Sequence, residues 1–390
     1  VHDHVHGVIG AIAPNDSVER FEGLGVTVLQ AAARFTGARE VEAGGTRVRA
    51  KYFVVATGSS AGVPPIPGLD TVPYLTNETV FDLTEGPAHL IVIGGGPIGC
   101  ELAQAHRRLG AKVTVLEMFA ILGKDDPEVT EVVKRRMRAE GIALREGVKI
   151  VRVAPDGEGV SVEIEQSGAV ETIAGSHLLV AAGRAANVDG LNLEAAGVNY
   201  SKKGIEVDAR LRSANKRVFA IGDVAGSYQF THIANYHAGI VIRNALFWLP
   251  AKVDYRAVPW VTYTDPEIAH VGRTEAQAKA ELGGGIRVLR FALHDSDRAQ
   301  AERETEGLIK VVTDKQGRVL GASIAAMRAG ELLLPWVIAV DQKQKIGKLA
   351  ALIAPYPTLS EVSKRVAGSY FVPSLFSERT RKLVRFLMKF

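Results

Sequence analysis

The stretch HLIVIGGGPIG, residues 89–99, runs a five-residue apolar strand straight into a glycine turn. A continuous apolar run that ends on glycine has the texture of a strand buried in a parallel sheet. The following ELAQAHRRLG, closing at Gly110, reads as a helix, and KVTVLE (112–117) as the next strand. The segment is therefore a βαβ unit with Gly94-x-Gly96-x-x-Gly99 at its first turn. Gly94 permits the tight turn, Gly96 lets backbone approach a diphosphate, and Gly99 lets helix and strand pack closely. Ile98 lies in the first helical turn, where N–H groups and the helix dipole favour an anion. Glu117 follows Gly99 by eighteen residues, near the ~20 at which an acid accepts hydrogen bonds from a ribose. A carboxylate there repels a 2′-phosphate, so NADH is expected over NADPH, with Lys124 softening the preference. A glycine-rich turn with no ligand is the bland alternative, and the strand and helix on either side argue against it.

Outward from this unit the texture stays α/β. Residues 1 to about 20 read as an amphipathic helix with Val1, Val5, Val8, Ile9 and Ile12 on one side. VTVLQAAARF (26–35), REVEA (39–43) and TRVRAKYFVVATG (46–58) read as strands, with Gly44-Gly45 as a turn. Within the last run, Tyr52 to Ala56 is expected to be a buried parallel strand. On the other side a helix is predicted over 127–140, a small β-meander over 149–183, and a helix starting near His232 after VFAIGDV. Beyond about 255 come VPWVTYT, GIRVLRFAL, GLIKVVTD and RVLGASIAA as strands, with helices over 329–347 and 358–368. The order predicts a nucleotide-binding α/β region followed by a smaller α+β domain.

Composition narrows the function classes. The chain has 390 residues, 47% hydrophobic and 23% charged, which excludes a disordered chain or a coiled coil. One cysteine excludes a disulfide framework and any chemistry that needs two thiols of this chain. It fits a reducing, cytoplasmic compartment. A net charge of +4 is thin for a nucleic-acid binder, and none is expected. No apolar run reaches the ~18 residues of a membrane span. His2 and His6 share a helix face, but nothing completes a metal site, so no metal is expected.

Four weaker motifs remain. Ala56-Thr57-Gly58-Ser59 ends a strand, as a ligand-binding turn or as an ordinary one. Ala220-Ile221-Gly222-Asp223 does the same, with the acid as a sugar-hydroxyl acceptor or as a helix cap. Cys100, one residue past Gly99, is expected to be a packed core thiol. In Pro355-Tyr356-Pro357-Thr358-Leu359-Ser360-Glu361, Thr358 and Glu361 have capping-box spacing. The tail SERTRKLVRFLMKF (377–390) is basic and amphipathic, suited to an anionic membrane surface or to packing on its own domain or a partner.

Taken in order, ATGS, VIGGGPIGCE, LLVAAGRAANV, AIGDV, FTHIANYHAG, VPWVTYTDPEIAHVG, AGELL and PTLSE resemble the class I pyridine nucleotide–disulfide oxidoreductases, which include dihydrolipoamide dehydrogenase and mercuric reductase. The resemblance spans 56–361, nearly the whole chain. It implies FAD- and NAD(P)-binding Rossmann-like domains, the FAD domain interrupted by the NAD domain, and a C-terminal α+β dimerisation domain in a homodimer. The expected boundaries are 1–85 and 185–252 for FAD, 86–184 for NAD(P)H, 253–368 for dimerisation, and 369–390 for the basic tail. It implies that Thr57, Gly58, Gly222 and Asp223 hold FAD, and that His232 and Ala234 start a helix aimed at the flavin. Gly183 and Arg184 fall at the turn between the two nucleotide domains. Glu101 corresponds to an acid near flavin and nicotinamide, normally paired with lysine.

Two departures shape the expected function. An N-terminal glycine fingerprint and a Cys-x4-Cys helix belong to the family pattern and do not occur in these residues, so the chain is expected to be a fragment. Tyr356 stands where dihydrolipoamide dehydrogenases carry the His that pairs with the acid matching Glu361. A phenol is a poor general base there. Mercuric reductases also carry Tyr at this place, but with a C-terminal cysteine pair that this sequence lacks. Tyr356, Glu361 and Glu101 are the expected catalytic positions. The expected activity is hydride transfer from NAD(P)H to flavin and on to a disulfide or small-molecule acceptor. The alternative is a non-catalytic fragment that binds NAD(H) and dimerises.

Overall fold

The computed structural model describes all 390 residues and divides into two compact units. One comprises Val1–Pro65, Leu75–Glu85 and Ala182–Asp254, and the other Ile66–Tyr74, Gly86–Ala181 and Tyr255–Phe390.

In the second unit the strand His89–Ile93 lies inside a four-stranded parallel sheet, between His177–Val180 and Lys112–Glu117, with Ala143–Glu146 at the edge. Leu90, Ile91, Val92 and Ile93 are all buried, as strands covered on both faces require. The crossover helix Pro97–Arg108 and the helix Pro127–Ala139 complete the wound layer. A three-stranded antiparallel sheet follows, with Gly159–Gln166 in the middle; Val160, Val162 and Ile164 alternate inward. The expected meander ends there: His177–Val180 leaves it to join the parallel sheet beside His89–Ile93. Its unbroken apolar run suits a strand buried on both faces better than an alternating hairpin strand.

The same unit carries a five-stranded antiparallel sheet in the order Pro259–Thr262, Glu267–Gly272, Val319–Ala326, Leu308–Asp314, Ile286–Ala292. The helices Leu334–Asp341 and Glu361–Ser369 pack on it through Trp336, Ala339, Val362 and Val366. The helical stretch over 329–347 is broken: Ala329–Leu332 and Leu334–Asp341 are separate, with Pro335 in the first turn of the second. Lys310, whose side chain is 3% exposed, meets Asp126 at 2.8 Å, Glu128 at 2.6 Å and Glu275 at 2.7 Å. Arg290 closes this network through Glu128 and Glu275.

The first unit pairs Phe53–Val55 in parallel with Val218–Ala220, and Ser59–Ala61 antiparallel with Arg184–Ala186. A meander of Ala33–Gly37, Glu40–Ala43 and Thr46–Arg49 lies beside them, turning at Gly44-Gly45 as expected. Three expectations need correction. Regular strand begins only at Ala33, so the first seven residues of VTVLQAAARF are not strand; its alanines carry little β-preference. The strand over 52–56 is not buried on both faces: Val55 is, but Val54 is 48% exposed. The N-terminal helix stops at Ile12, where Pro14 opens a 3-10 turn, and none of its residues is buried. No helix of the chain is long and apolar enough to cross a membrane.

Candidate functional site

The glycine turn of the second unit is built as its spacing predicts. Gly94 has φ +110°, a conformation open to glycine and costly for other residues. A Cβ on Gly99 would lie 1.9 Å from the Gly94 carbonyl oxygen, so only glycine lets the helix sit this close to the strand. A Cβ on Gly96 would meet nothing within 4 Å, leaving open space at the helix N-terminus. Gly96 is the N-cap, Pro97 opens the helix without needing an N–H partner, and half-buried Ile98 follows. Glu117 turns back on this loop: its Oε2 accepts from the Gly95 N–H at 2.7 Å and its Oε1 from the Phe119 N–H at 2.9 Å. The open backbone, the helix N-terminus and the adjacent carboxylate fit a dinucleotide. Gly95 was not singled out from sequence, yet its amide orients Glu117. Lys124 is exposed.

Cys100 is fully buried, its Sγ donating to the Gly95 carbonyl at 3.4 Å. Burial, reinforced by Glu101 and Glu117, pushes its thiol up to about 12, so it is a packed core thiol as expected. Glu101 lies on the same helix and accepts from the Tyr263 N–H at 2.9 Å. Burial raises its pKa, and the Tyr263 amide opposes that rise. One turn on, buried Gln104 donates to the Asp265 carbonyl and accepts from the Asp265 N–H, both at 2.8 Å. Sequence reading missed Gln104; its signal was the i, i+3 spacing from Glu101.

In the first unit four segments converge. Ser59 donates to Asp223 Oδ2, while the Arg184 guanidinium donates to Ser59 Oγ at 2.7 Å and to the Ser59 carbonyl at 2.6 Å. Arg184 also stands 3.7 Å from the Asp223 carboxylate. Thr57 Oγ1 donates to the Asn187 carbonyl at 2.7 Å, and Asn187 returns bonds to the carbonyls of Thr57 and Gly58. The Gly183 carbonyl accepts from the Gly62 N–H at 2.8 Å. Gly222 packs so tightly on the helix Thr231–Ala245 that a Cβ would lie 3.1 Å from that of Ala234. Its N–H donates to Nδ1 of His237, which burial keeps neutral and therefore able to accept. His232, exposed at the same helix start, stacks on Phe230 at 5.1 Å. Asp223 is therefore not a helix cap: it lies inside a 3-10 turn, and the helix is N-capped at Phe230 without a side-chain bond. This cradle of hydroxyl, carboxylate and glycine backbone fits the polyol chain of a flavin cofactor. Ser59, Asn187 and His237 are the members that sequence reading did not assign.

Tyr356 and Glu361 are not bonded to each other. The Tyr356 hydroxyl donates to Asp297 Oδ2 at 2.8 Å, and that carboxylate raises the phenol's pKa. Glu361 accepts from Arg365 Nε at 3.0 Å. The expected capping box does not form. Ser360 is the N-cap and makes no side-chain cap bond, while Thr358 Oγ1 turns back to the Pro355 carbonyl at 2.7 Å. Glu361 is thus the first helical residue, two positions before the place of the box's acid. His2 and His6 stack at 4.3 Å, and no group of three His, Cys, Asp or Glu side chains is placed to hold a metal ion.

Two family descriptions match this chain: pyridine nucleotide-disulphide oxidoreductase over residues 12–238, and the dimerisation domain of the same family over 258–367. The chain belongs to the pyridine nucleotide-disulphide oxidoreductases. Its fold is accordingly FAD/NAD-binding α/β followed by a dimerisation domain. Among its relatives, mercuric reductase of Bacillus cereus is 38% identical over 347 residues, 88% of this chain and 55% of that protein. Dihydrolipoyl dehydrogenase of Thermus scotoductus is 38% identical over 352 residues, 87% of this chain and 74% of that protein. The chain thus spans little more than half the length of the Bacillus cereus relative. Among solved structures, LpdA of Mycobacterium tuberculosis superposes with a TM-score of 0.85 at 27% identity, covering 95% of this chain and 83% of that one. The HOCl-induced flavoprotein disulfide reductase RclA of Escherichia coli, solved as a Cu(II) complex, gives 0.81 at 28%, covering 88% and 79%.

Proposed function

We propose that this chain is the nucleotide-binding and dimerising body of an FAD-dependent NAD(P)H oxidoreductase that passes electrons to a disulfide or another small acceptor. The observation that carries the reading is the Gly94–Glu117 loop, where open backbone over Gly96 meets a helix N-terminus and a ribose-ready carboxylate. Residues 86–184 would hold NAD(P)H, with Gly94, Gly96, Ile98 and Gly99 at the diphosphate. Residues 1–85 and 185–252 would hold FAD, with Thr57, Gly58, Gly222, Asp223, His232 and Ala234 lining it and Gly183 and Arg184 at the turn between the two nucleotide domains. When bound, the two cofactors supply hydride and electron transfer; the chain supplies position and charge. Glu101, whose pKa burial raises, would stand at the nicotinamide side. The Thr231–Ala245 helix start would offer its positive dipole end to the flavin.

Residues 253–368 would form the homodimer and bring Tyr356 and Glu361 to the partner's site, with 369–390 as an appended tail. Tyr356, held protonated by Asp297, donates a hydrogen bond and does not take a proton at neutral pH. That chemistry disfavours lipoamide as the acceptor. A cytoplasmic setting suits a chain whose single thiol is buried. That buried thiol also favours a second reading, a non-catalytic NAD(H)-binding dimer, because no cysteine of these residues can exchange with a disulfide.

Calorimetric titration of the full chain with NADH and NADPH tests the site. NADH should bind more tightly, and Glu117→Ala should narrow the gap. Equal affinities in the unaltered chain would refute the role of Glu117. Flavin content by visible absorbance, with NADH oxidation by a dye acceptor, separates the two readings: a flavin-free chain without turnover is the binding protein.

A further inference from the structure

The C-terminal thirteen residues hold the charge of the molecule. Arg379, Arg381, Lys382, Arg385 and Lys389 stand against Glu378 alone, a surplus of +4 that equals the formal net charge of the whole chain. Everything before Glu378 is balanced. This segment also lies beyond the matched dimerisation domain, which ends at 367.

The structure makes it a helix, Glu378–Leu387, started by Ser377, whose hydroxyl oxygen accepts from the Thr380 N–H. Leu383, Phe386, Leu387 and Phe390 follow the i, i+3, i+4, i+7 spacing of one helix face. They are 56%, 57%, 58% and 97% exposed, and the Phe386 and Phe390 rings lie 5.5 Å apart. Arg381, Lys382, Arg385 and Lys389 fall on the opposite face. No residue of the helix is buried. The turn before it adds Leu375 and Phe376, 58% and 66% exposed.

We propose that this helix lays the chain on an anionic phospholipid surface, its apolar face at the headgroup–acyl boundary and its cations over the phosphates. A short helix with a basic face and an aromatic-rich apolar face lies in the interface rather than spanning it. Charge selects this occupant over a second copy of the chain. Two such helices paired would bring two +4 segments together, whereas an anionic surface neutralises each. Arg379 falls on the apolar face, one turn before Leu383 at the N-terminal end of the helix, where its long stem allows its charge to reach the headgroups. The inference stands independently of the redox reading.

The test is co-sedimentation of the full chain with vesicles of phosphatidylglycerol and phosphatidylcholine, and with phosphatidylcholine alone. The chain should pellet with the anionic vesicles and release as salt rises. Lys382→Glu with Arg385→Glu should lower the partition coefficient by more than about tenfold. Deleting residues 378–390 should abolish pelleting while the thermal unfolding midpoint stays in place, since no buried contact is lost. Equal pelleting with and without 378–390 overturns the proposal. So does a deletion that leaves vesicle binding intact and turns a dimer into a monomer in the ultracentrifuge, which makes the helix a subunit contact.

Discussion

At the scale of single residues, the glycine turn separates what packs from what binds. Gly99 is held by backbone: an added methyl would collide with the Gly94 carbonyl oxygen at 1.9 Å. Gly99→Ala is therefore expected to destabilise the fold by about 1–3 kcal/mol, read as a lower urea midpoint. Gly96→Ala meets no atom within 4 Å and should unfold like the unaltered protein, yet bind NADH at least about tenfold more weakly, because its methyl occupies the space a diphosphate would take. The same spacing in sequence thus yields opposite outcomes at two glycines. Residues that act through partners distant in the chain left no such trace. Ser59, Asn187 and His237 lie inside recognisable motifs and Gln104 just past one, yet no local spacing names their partners, up to 164 residues away, as between Ser59 and Asp223.

Among elements, runs with one strong period were legible and runs needing a partner were not. LIVI at 90–93, ending on a glycine turn, read as a buried strand, whereas VTVLQAAARF and the burial of Val54 depended on which neighbours arrived. The Lys310 network shows the same limit, since a lysine in the strand GLIKVVTD reads as solvent-facing until its three carboxylates close around it. Lys310→Met should cost about 3–5 kcal/mol in unfolding free energy, because Asp126, 2% exposed, would keep a buried charge without its counter-ion. Lys310→Met combined with Asp126→Asn should lose less than Lys310→Met alone. The network also predicts an acid limb. Arg290, with Lys310, holds the Glu128 carboxyl at about 2, below its usual 4.5. Its contribution is full above pH 4.5 and is lost as pH falls through about 2. The urea midpoint should fall across that window, and Glu128→Gln should flatten the fall.

For the whole molecule the question is what covers the exposed apolar side chains. Leu334, Ile338, Leu352 and Ile353 of the dimerisation domain are 63%, 42%, 55% and 96% exposed. In a dimerisation domain such residues are the expected subunit contact. The chain should sediment as a dimer, and Leu334→Asp with Ile353→Asp should give a folded monomer; a dimer that survives both changes places the contact elsewhere. The sequence by itself determined the family, the order of its parts, the glycine turn and the charge of the tail, because each is written in local spacing or composition. Only the tertiary structure decided that Asp223 is held by Ser59 and Arg184, that Gln104 binds the backbone of Asp265, and that the Tyr356 hydroxyl bonds Asp297 and not Glu361. Those outcomes depend on burial and on partners distant in the chain, and neither is set until the segments pack.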